Sequence, residues 1–239
     1  MTIIQRHERN TAGRDFAVGD IHGHFTRLQK RLDEIGFDPE KDRLFSVGDL
    51  VDRGPECEKA LDWLARPWFH AVRGNHEDIA IRYAKGNPVD QAIYSRNGGD
   101  WLMALDHVRQ KEFGAAFDAL PFAIEVETVG GTVGLVHANV PIADWQWLGE
   151  ELLFNRHSRD RIMWDRGRIE SEDRSVVENV RAVVVGHTPL RRPAVLGNVY
   201  HIDTGGWLPD GSGYFTLIDL RSLETMPAIP AKLEWEAAQ

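Results

Sequence analysis

Short apolar runs alternate with amphipathic segments along much of the chain. A helix is predicted where Phe25, Leu28, Leu32 and Ile35 follow one another at spacings of three and four. Residues 56–64 predict a second helix. The apolar runs are rich in β-branched and aromatic residues and predict buried strands. They lie at 16–18, 44–47, 69–72, 133–136 and 183–185. Strands alternating with helices indicate parallel βαβ units.

Other segments depart from this alternation. Residues 122–129 and 132–136 flank a Gly-Gly pair and predict a β-hairpin. A mixed α/β fold, with a mixed sheet or two packed sheets flanked by helices, is therefore favoured over a purely parallel one. Residues 91–120 predict an aromatic-rich helical insertion, and 145–174 predict a loop with short helices. Because no repeat or linker separates these segments, we expect one domain over 1–239.

Composition and charge exclude several classes of protein. Of the 239 residues, 42% are hydrophobic and 27% charged, which is typical of a globular chain rather than a disordered one. The net charge of −9 argues against a nucleic-acid partner, which would require a basic surface. Cys57 is the only cysteine, so no intrachain disulfide can form. No apolar run has the length of a signal or membrane segment. We therefore expect a cytoplasmic protein without a membrane partner.

Polar side chains able to bind a metal follow the predicted strands. Ligand sites in α/β sheets form beyond the carboxyl ends of strands, so these side chains should converge. They are Asp20, His22, Asp49, Asn75, His137 and His187. This mixture of oxygen and nitrogen ligands suits manganese, iron or zinc better than calcium. Six ligands exceed what one ion needs when a position stays open for water, so the set predicts two metal ions sharing a carboxylate.

Arginines accompany the candidate ligands. Arg53 follows Asp49 by one short turn, and Arg73 precedes Asn75. Planar guanidinium groups match the oxygens of a phosphoryl group. Two divalent ions and two arginines, set against two carboxylates and a hydroxide, would give the pocket a charge of about +3. The sequence therefore predicts an anionic, phosphate-bearing substrate.

Several sequence blocks resemble the phosphoprotein phosphatase family of metallophosphoesterases. The three signature blocks are 19–23 (GDIHG), 48–54 (GDLVDRG) and 74–77 (GNHE). Further blocks follow in the family's order at 137–139, 164–166, 186–189 and 202–205. The resemblance extends from residue 19 to about residue 219 and is strongest to the bacterial and phage branch. It implies a calcineurin-like fold of two packed mixed β-sheets flanked by helices, with a dimetal site at the carboxyl ends of the strands.

The resemblance also implies a role for each candidate residue. The first metal would be bound by Asp20 and His22, the second by Asn75, His137 and His187, with Asp49 bridging both. His76, paired with Asp52, resembles the general acid that protonates the leaving oxygen. The phosphate-binding arginines would be Arg53, Arg73 and Arg166. Arg161 and Arg168 lie near Arg166 in the sequence and remain alternatives to it.

The implied reaction is direct hydrolysis of phosphoserine or phosphothreonine, with phosphotyrosine as a further candidate. A water or hydroxide shared by two divalent ions would attack phosphorus. Mn²⁺ is the first candidate for these ions, and Fe and Zn are the alternatives. The substrate would be a phosphorylated protein or peptide. Because the chain ends soon after the last predicted strand, the regulatory subunits of longer relatives are not implied.

Three alternative functions remain at this point. One is hydrolysis of dinucleoside polyphosphates such as diadenosine tetraphosphate, but that branch usually has Gln in place of His22 and Asp in place of Glu77. Another is a broad-range phosphoesterase of the same superfamily. The last is a non-catalytic interaction scaffold, which would be expected to have lost some of these ligands.

Overall fold

Two β-sheets form the centre of the protein. A computed structural model describes residues 2–227. The six-stranded sheet contains, in spatial order, β1 (Ile4–His7), β5 (Ala123–Thr128), β6 (Gly131–Val136), β7 (Ala182–Val185), β9 (Val199–His201) and β8 (Ala194–Leu196). The five-stranded sheet contains β11 (Thr225–Met226), β10 (Leu217–Asp219), β2 (Asp15–Val18), β3 (Arg43–Ser46) and β4 (Phe69–Ala71). Each sheet mixes parallel and antiparallel pairs, which confirms the predicted mixed α/β class.

Helices cover the outer face of each sheet. The five-stranded sheet packs against α1 (Phe25–Glu34), α2 (Lys59–Leu64), α3 (Asn75–Ala84), α4 (Gln91–Arg96), α5 (Asp100–Met103) and α6 (His107–Asp118). The six-stranded sheet packs against α7 (Leu148–Phe154) and α8 (Arg156–Trp164). The short α9 (Gly167–Glu170) follows α8. Within residues 2–227, none of the helices combines the length and apolar character that crossing a membrane requires.

Both faces of the central strands are buried. In β2, Phe16 and Val18 contact the helical layer, whereas Ala17 contacts the other sheet. In β7, Val184 faces the other sheet and Val183 faces the helices. Strands buried on both faces need apolar residues at every position. This is why they appear in the sequence as continuous apolar runs.

Two expectations about local structure need correction. The stretch 145–174, predicted to be a loop with short helices, does contain the short helices α7, α8 and α9, but they occupy more of it than expected. The α8 sequence is highly charged, and only three of its side chains are buried, so it lacks a clear apolar periodicity. Strand β1 was not predicted because its residues are mostly polar, yet it pairs with β5 in parallel. We expected one domain over residues 1–239. Residue 1 and residues 228–239 of that range lie outside the described residues.

The two sheets bring their strand ends together at one edge of the sandwich. In the five-stranded sheet, β2, β3 and β4 are parallel. In the six-stranded sheet, β6, β7 and β9 are parallel. Two hydrogen bonds join these ends across the sheets: His137 Nδ1 donates to the Val47 carbonyl at 2.7 Å, and the His187 backbone N–H donates to Asp20 Oδ1 at 3.0 Å. The loops after the strands therefore share one crevice.

Candidate active site

Asp49 lies at the centre of a buried cluster in this crevice. Its Oδ2 is 3.6 Å from His22 Nε2, and its Oδ1 is 3.4 Å from His137 Nε2. Two groups of ligand atoms, each within 4.8 Å of one another, meet here: one joins His22, Asp49 and His76, and the other joins Asp49, His137 and His187. Because Asp49 belongs to both groups, one carboxylate can serve two cation positions.

The hydrogen bonds of the histidines define which ring nitrogens can bind a cation. His22 Nδ1 lies 2.8 Å from the Val51 carbonyl, and His137 Nδ1 lies 2.7 Å from the Val47 carbonyl. A carbonyl only accepts hydrogen bonds, so each Nδ1 carries a proton. Burial lowers the pKa of both His22 and His137, which leaves each Nε2 as a lone pair facing Asp49. A lone pair and a carboxylate repel each other unless a cation or a hydrogen-bond donor lies between them, and this set of donor atoms fits divalent metal ions.

An amide oxygen lies beside the second group, which contains Asp49, His137 and His187. Asn75 Oδ1 lies 2.8 Å from His137 Nε2, and His187 Nδ1 lies 3.2 Å from the same atom. Burial and the neighbouring His137 lower the pKa of His187 to about 3, so its ring is neutral at pH 7. Two neutral imidazoles, an amide oxygen and a carboxylate suit a borderline transition metal better than calcium.

Two further buried carboxylates, those of Asp20 and Asp203, lie near the group that contains His22 and Asp49. Asp20 Oδ2 is 3.9 Å from His22 Nε2, at the edge of the cluster. Burial, Asp203 and Asp49 raise the pKa of Asp20 well above its usual value, and burial raises the pKa of Asp203 to about 6. Asp203 Oδ2 is buried without a hydrogen-bond partner. Cations at this position would relieve the repulsion. The sequence assigned no role to Asp203, although it belongs to the quoted block 202–205.

His76 and Asp52 form a buried pair beside Asp49. His76 Nδ1 is 2.6 Å from Asp52 Oδ2, and Trp101 Nε1 donates to Asp52 Oδ1 at 2.7 Å. Although burial lowers it, the carboxylates of Asp49 and Asp52 raise the pKa of His76 overall. The other ring nitrogen, Nε2, lies 3.8 Å from Asp49 Oδ2. The pair can therefore present a protonated nitrogen to the crevice. Trp101, which fixes Asp52, was not identified from the sequence.

Arg53 reaches both imidazoles of the first group. Its Nη1 is 2.8 Å from His22 Nε2, and its Nη2 is 3.2 Å from His76 Nε2. The guanidinium lies over the ring of Trp207, 4.3 Å from the ring centroid, and Trp207 contacts the His22 ring edge-on at 4.8 Å. The ring of Trp207 thus packs against the guanidinium of Arg53 and helps to position it. The only sequence signal for it was an aromatic residue two positions after the block 202–205.

The three arginines of segment 161–168 have different hydrogen-bond partners. Arg166 Nε is 3.3 Å from His187 Nε2. Arg161 pairs with Asp165 at 3.1 Å, and Arg168 donates to backbone carbonyls of the following loop. Arg166 is therefore the one of the three that contacts a candidate ligand.

Arg73 has a different environment from the one expected. Its Nη2 donates to the Asp118 carbonyl at 2.7 Å and to Asp118 Oδ1 at 3.0 Å. Its guanidinium also packs over the Phe122 ring at 4.9 Å, and the side chain is buried. In this arrangement the structure does not bring Arg73 together with the candidate ligands, because Asp118 holds it. Its position next to Gly74 in the sequence gave no information on where its side chain points.

Glu77 organises the loops that carry the ligands. It is fully buried and accepts hydrogen bonds from the backbone N–H groups of Asp49, Leu50 and Gly74, at 2.9, 2.8 and 2.8 Å. Burial and then Asp49 raise the pKa of Glu77 to about 7. In the sequence, Glu77 served only to distinguish two branches of the family. Its contacts show that it joins the loop after β3 to the start of α3.

Backbone strain is concentrated at the same loops. Five candidate site residues have left-handed φ values, which usually cost about 1–3 kcal/mol each outside glycine. They are His22 (43°), Asp49 (50°), Asp52 (68°), Arg53 (65°) and His187 (67°). Gly48 also has a positive φ, and a side chain there would lie 2.7 Å from the Gly74 nitrogen. Such strain clusters at functional sites because the surrounding structure enforces it.

Two cation positions that share a carboxylate, next to an imidazole–carboxylate pair and guanidinium groups, are typical of two-metal phosphate-ester hydrolases. Comparison with known proteins agrees with this geometry. Residues 16–191 match the family described as calcineurin-like phosphoesterase. The chain belongs to this family of metallophosphoesterases, for which a dimetal site is characteristic.

Individual relatives point to two substrate classes. The chain is 38% identical over 208 residues to a serine/threonine-protein phosphatase 1 of Salmonella typhimurium, covering 85% of this chain and 91% of that protein. It is 35% identical over 130 residues to a symmetrical bis(5'-nucleosyl)-tetraphosphatase of Methylococcus capsulatus, covering 54% and 44%. A crystal structure of a proposed diadenosine tetraphosphatase superposes with a TM-score of 0.66 at 17% identity, covering 94% of this chain and 96% of that one.

The contact between Arg53 and Trp207 leads to a testable prediction. Trp207→Leu removes the aromatic face beneath the guanidinium while keeping an apolar side chain. We expect inhibition by inorganic phosphate to weaken roughly 2- to 30-fold, the range of one cation–π contact, with Trp207→Phe retaining part of the affinity. The inhibition constant, measured with p-nitrophenyl phosphate and Mn²⁺, checks this. Trp147→Leu, at an exposed tryptophan elsewhere, is the matched control; equal effects of both variants would contradict the prediction.

Proposed function

We propose that this chain is a metal-dependent phosphoprotein phosphatase that hydrolyses phosphoserine and phosphothreonine monoesters, with phosphotyrosine as a further substrate class. The observation that carries the proposal is the buried His76–Asp52 pair beside Asp49. A serine or threonine alkoxide is a strongly basic leaving group and needs a proton as its bond to phosphorus breaks. A positioned imidazolium next to two cation positions provides that proton.

Each side of Asp49 would hold one divalent ion. We assign Asp20 and His22 to the first ion, Asn75, His137 and His187 to the second, and Asp49 to both. Mn²⁺ is the first candidate because mixed oxygen and neutral nitrogen ligands suit it, while Fe and Zn fit the same ligands. When bound, two such ions activate water at neutral pH and stabilise negative charge on the phosphoryl oxygens.

The remaining side chains bind the phosphoryl group and move the proton. His76 donates its Nε2 proton to the leaving oxygen, while Asp52 fixes the ring through Nδ1 and keeps it charged. Arg53 and Arg166, which adjoin the two ligand groups, bind the phosphoryl oxygens. Arg73 donates to Asp118 through Nη2, so we assign it a smaller part in binding the phosphoryl group than the other two arginines.

A phosphorylated protein or peptide is the substrate class that the relatives favour over a dinucleotide. The Salmonella phosphatase combines 38% identity with similarity over 91% of its length, a combination that none of the tetraphosphatases compared with this chain reaches. We expect Mn²⁺-loaded protein to cleave a phosphoserine peptide with a higher kcat/KM than diadenosine tetraphosphate. Side-by-side assays of the two substrates test this. Faster cleavage of the dinucleotide would overturn the substrate assignment and favour the alternative function.

Metal removal should abolish the reaction. Chelation should eliminate hydrolysis of p-nitrophenyl phosphate and lower the melting temperature, because bound ions stabilise only the folded state. Added Mn²⁺ should restore both. Asp49→Asn should reduce activity more than Asp20→Asn, since the shared carboxylate serves both ions. Activity and calorimetry on the same samples check this; full activity in metal-free protein would contradict the two-metal assignment.

The acid role of His76 predicts a dependence on the leaving group. His76→Asn should slow phosphoserine cleavage more than p-nitrophenyl phosphate cleavage, because p-nitrophenolate is stable without a proton. General acid catalysis contributes about 10²–10⁴-fold, so the difference should be large. Asp52→Asn should give the same pattern more weakly. The ratio of kcat/KM for the two substrates is the measurement.

Metal content provides the control for both variants and should stay at the wild-type value. Equal losses on the two substrates, accompanied by loss of metal, would show that His76 is a ligand instead of the acid.

A further inference from the structure

A cleft of about 440 Å³ lies between the loop at 142–144 and helix α7. Two aromatic side chains are unusually exposed along it, Trp147 at 57% and Phe154 at 78%. The side chains that line it include Ile142, Asp144, Trp147, Glu150, Glu151 and Phe154. We call this the α7 groove. Exposed aromatic side chains gathered around a cleft indicate a surface that a partner covers.

The α7 groove is strongly acidic. Every ionisable residue that lines it is Asp or Glu. The side chains that donate to Asp144 are the amides of Gln146 and Asn179, and those that donate to Glu151 are a hydroxyl and an amide. These donors are neutral, so they leave the negative charge of both carboxylates in place. The groove therefore offers carboxylates and aromatic faces together, a combination that attracts a lysine or arginine side chain.

Helix α8 connects the α7 groove to the candidate active site. Arg161 of α8 donates to the Pro141 carbonyl at 3.1 Å, which ties the groove loop to this helix. Phe154, which lines the groove, precedes the first residue of α8 by two positions. Trp164 is the last residue of α8, and the centroid of its ring lies 6.4 Å from that of His187. Nine helical residues span about 13 Å. An extended peptide covers that distance in about four to six residues.

We propose that the α7 groove binds a segment of the phosphoprotein substrate that carries a basic side chain next to an apolar one, about four to six residues from the phosphorylated residue. This inference rests on the proposed phosphatase function. A second copy of the chain is a poor occupant, because a symmetric contact would bring the same carboxylates face to face in a protein of net charge −9.

Two phosphoserine peptides test the proposal. Both share the residues around phosphoserine, and one carries a Lys-Leu pair five residues away on either side, whereas the other carries Ser-Ser. We expect the wild-type protein to cleave the Lys-Leu peptide with a KM about tenfold lower, the effect of one well-placed contact. Trp147→Ser combined with Glu150→Lys should remove this preference and leave p-nitrophenyl phosphate cleavage unchanged.

A matched control double variant, Val108→Ser with Glu40→Lys, makes the same kinds of change at exposed positions outside the groove and should keep the preference. Equal KM values for both peptides in the wild type, or equal behaviour of the groove and control variants, would overturn the proposal. A change from dimer to monomer on groove mutation, seen by sedimentation, would also overturn it by identifying a second copy as the occupant.

Failure of the groove proposal can be separated from failure of the proposed function. Fluorescence anisotropy measures binding of a labelled, unphosphorylated Lys-Leu peptide independently of catalysis. Binding that is weakened about tenfold by the groove variant supports the groove even if no phosphopeptide is hydrolysed, a result that would reject the phosphatase assignment alone. Absence of binding, with phosphopeptide hydrolysis intact, would reject the groove alone.

Discussion

The buried carboxylate of Asp49 is the group on which the rest of the site depends. It faces lone pairs of His22 and His137 at 3.6 and 3.4 Å, and its Oδ1 accepts the backbone N–H of His76 at 3.0 Å. A buried charge is costly unless opposite charge or donors compensate it. The sandwich places this carboxylate where strand ends of both sheets meet, so His22 from the five-stranded sheet lies beside Oδ2 and His137 from the six-stranded sheet lies beside Oδ1.

The architecture around Asp49 explains why the ligands hold this geometry. Glu77 accepts hydrogen bonds from three backbone N–H groups of two loops, and the imidazoles of His22 and His137 are oriented by the hydrogen bonds that they donate to the Val51 and Val47 carbonyls. These contacts maintain left-handed backbone conformations that would otherwise be unfavourable. The contacts of Glu77 and the packed sheets beneath the loops therefore hold the strained conformations that carry the ligands.

Much of this arrangement could be predicted from the sequence because it follows from the chain direction. Strands buried on both faces appear as apolar runs, and the residue after a strand end necessarily lies at the sheet edge. Side-chain direction is different. Arg73 precedes Gly74 as expected yet pairs with Asp118, 45 positions away. Trp101 and Trp207 reach the site through tertiary packing, which the local sequence pattern does not predict. Likewise, α8 has many charged residues and few buried ones, so its sequence lacks the apolar periodicity from which a helix is predicted.

The carboxylate of Asp49 belongs to both groups of candidate ligands and can therefore join two cation positions. Electron paramagnetic resonance of the Mn²⁺-loaded protein, combined with metal analysis, tests it most directly. Because Asp49 would hold both ions, we predict two Mn²⁺ per chain with an exchange-coupled spectrum that is lost in Asp49→Asn. One ion per chain, or two ions with independent spectra, would contradict the account.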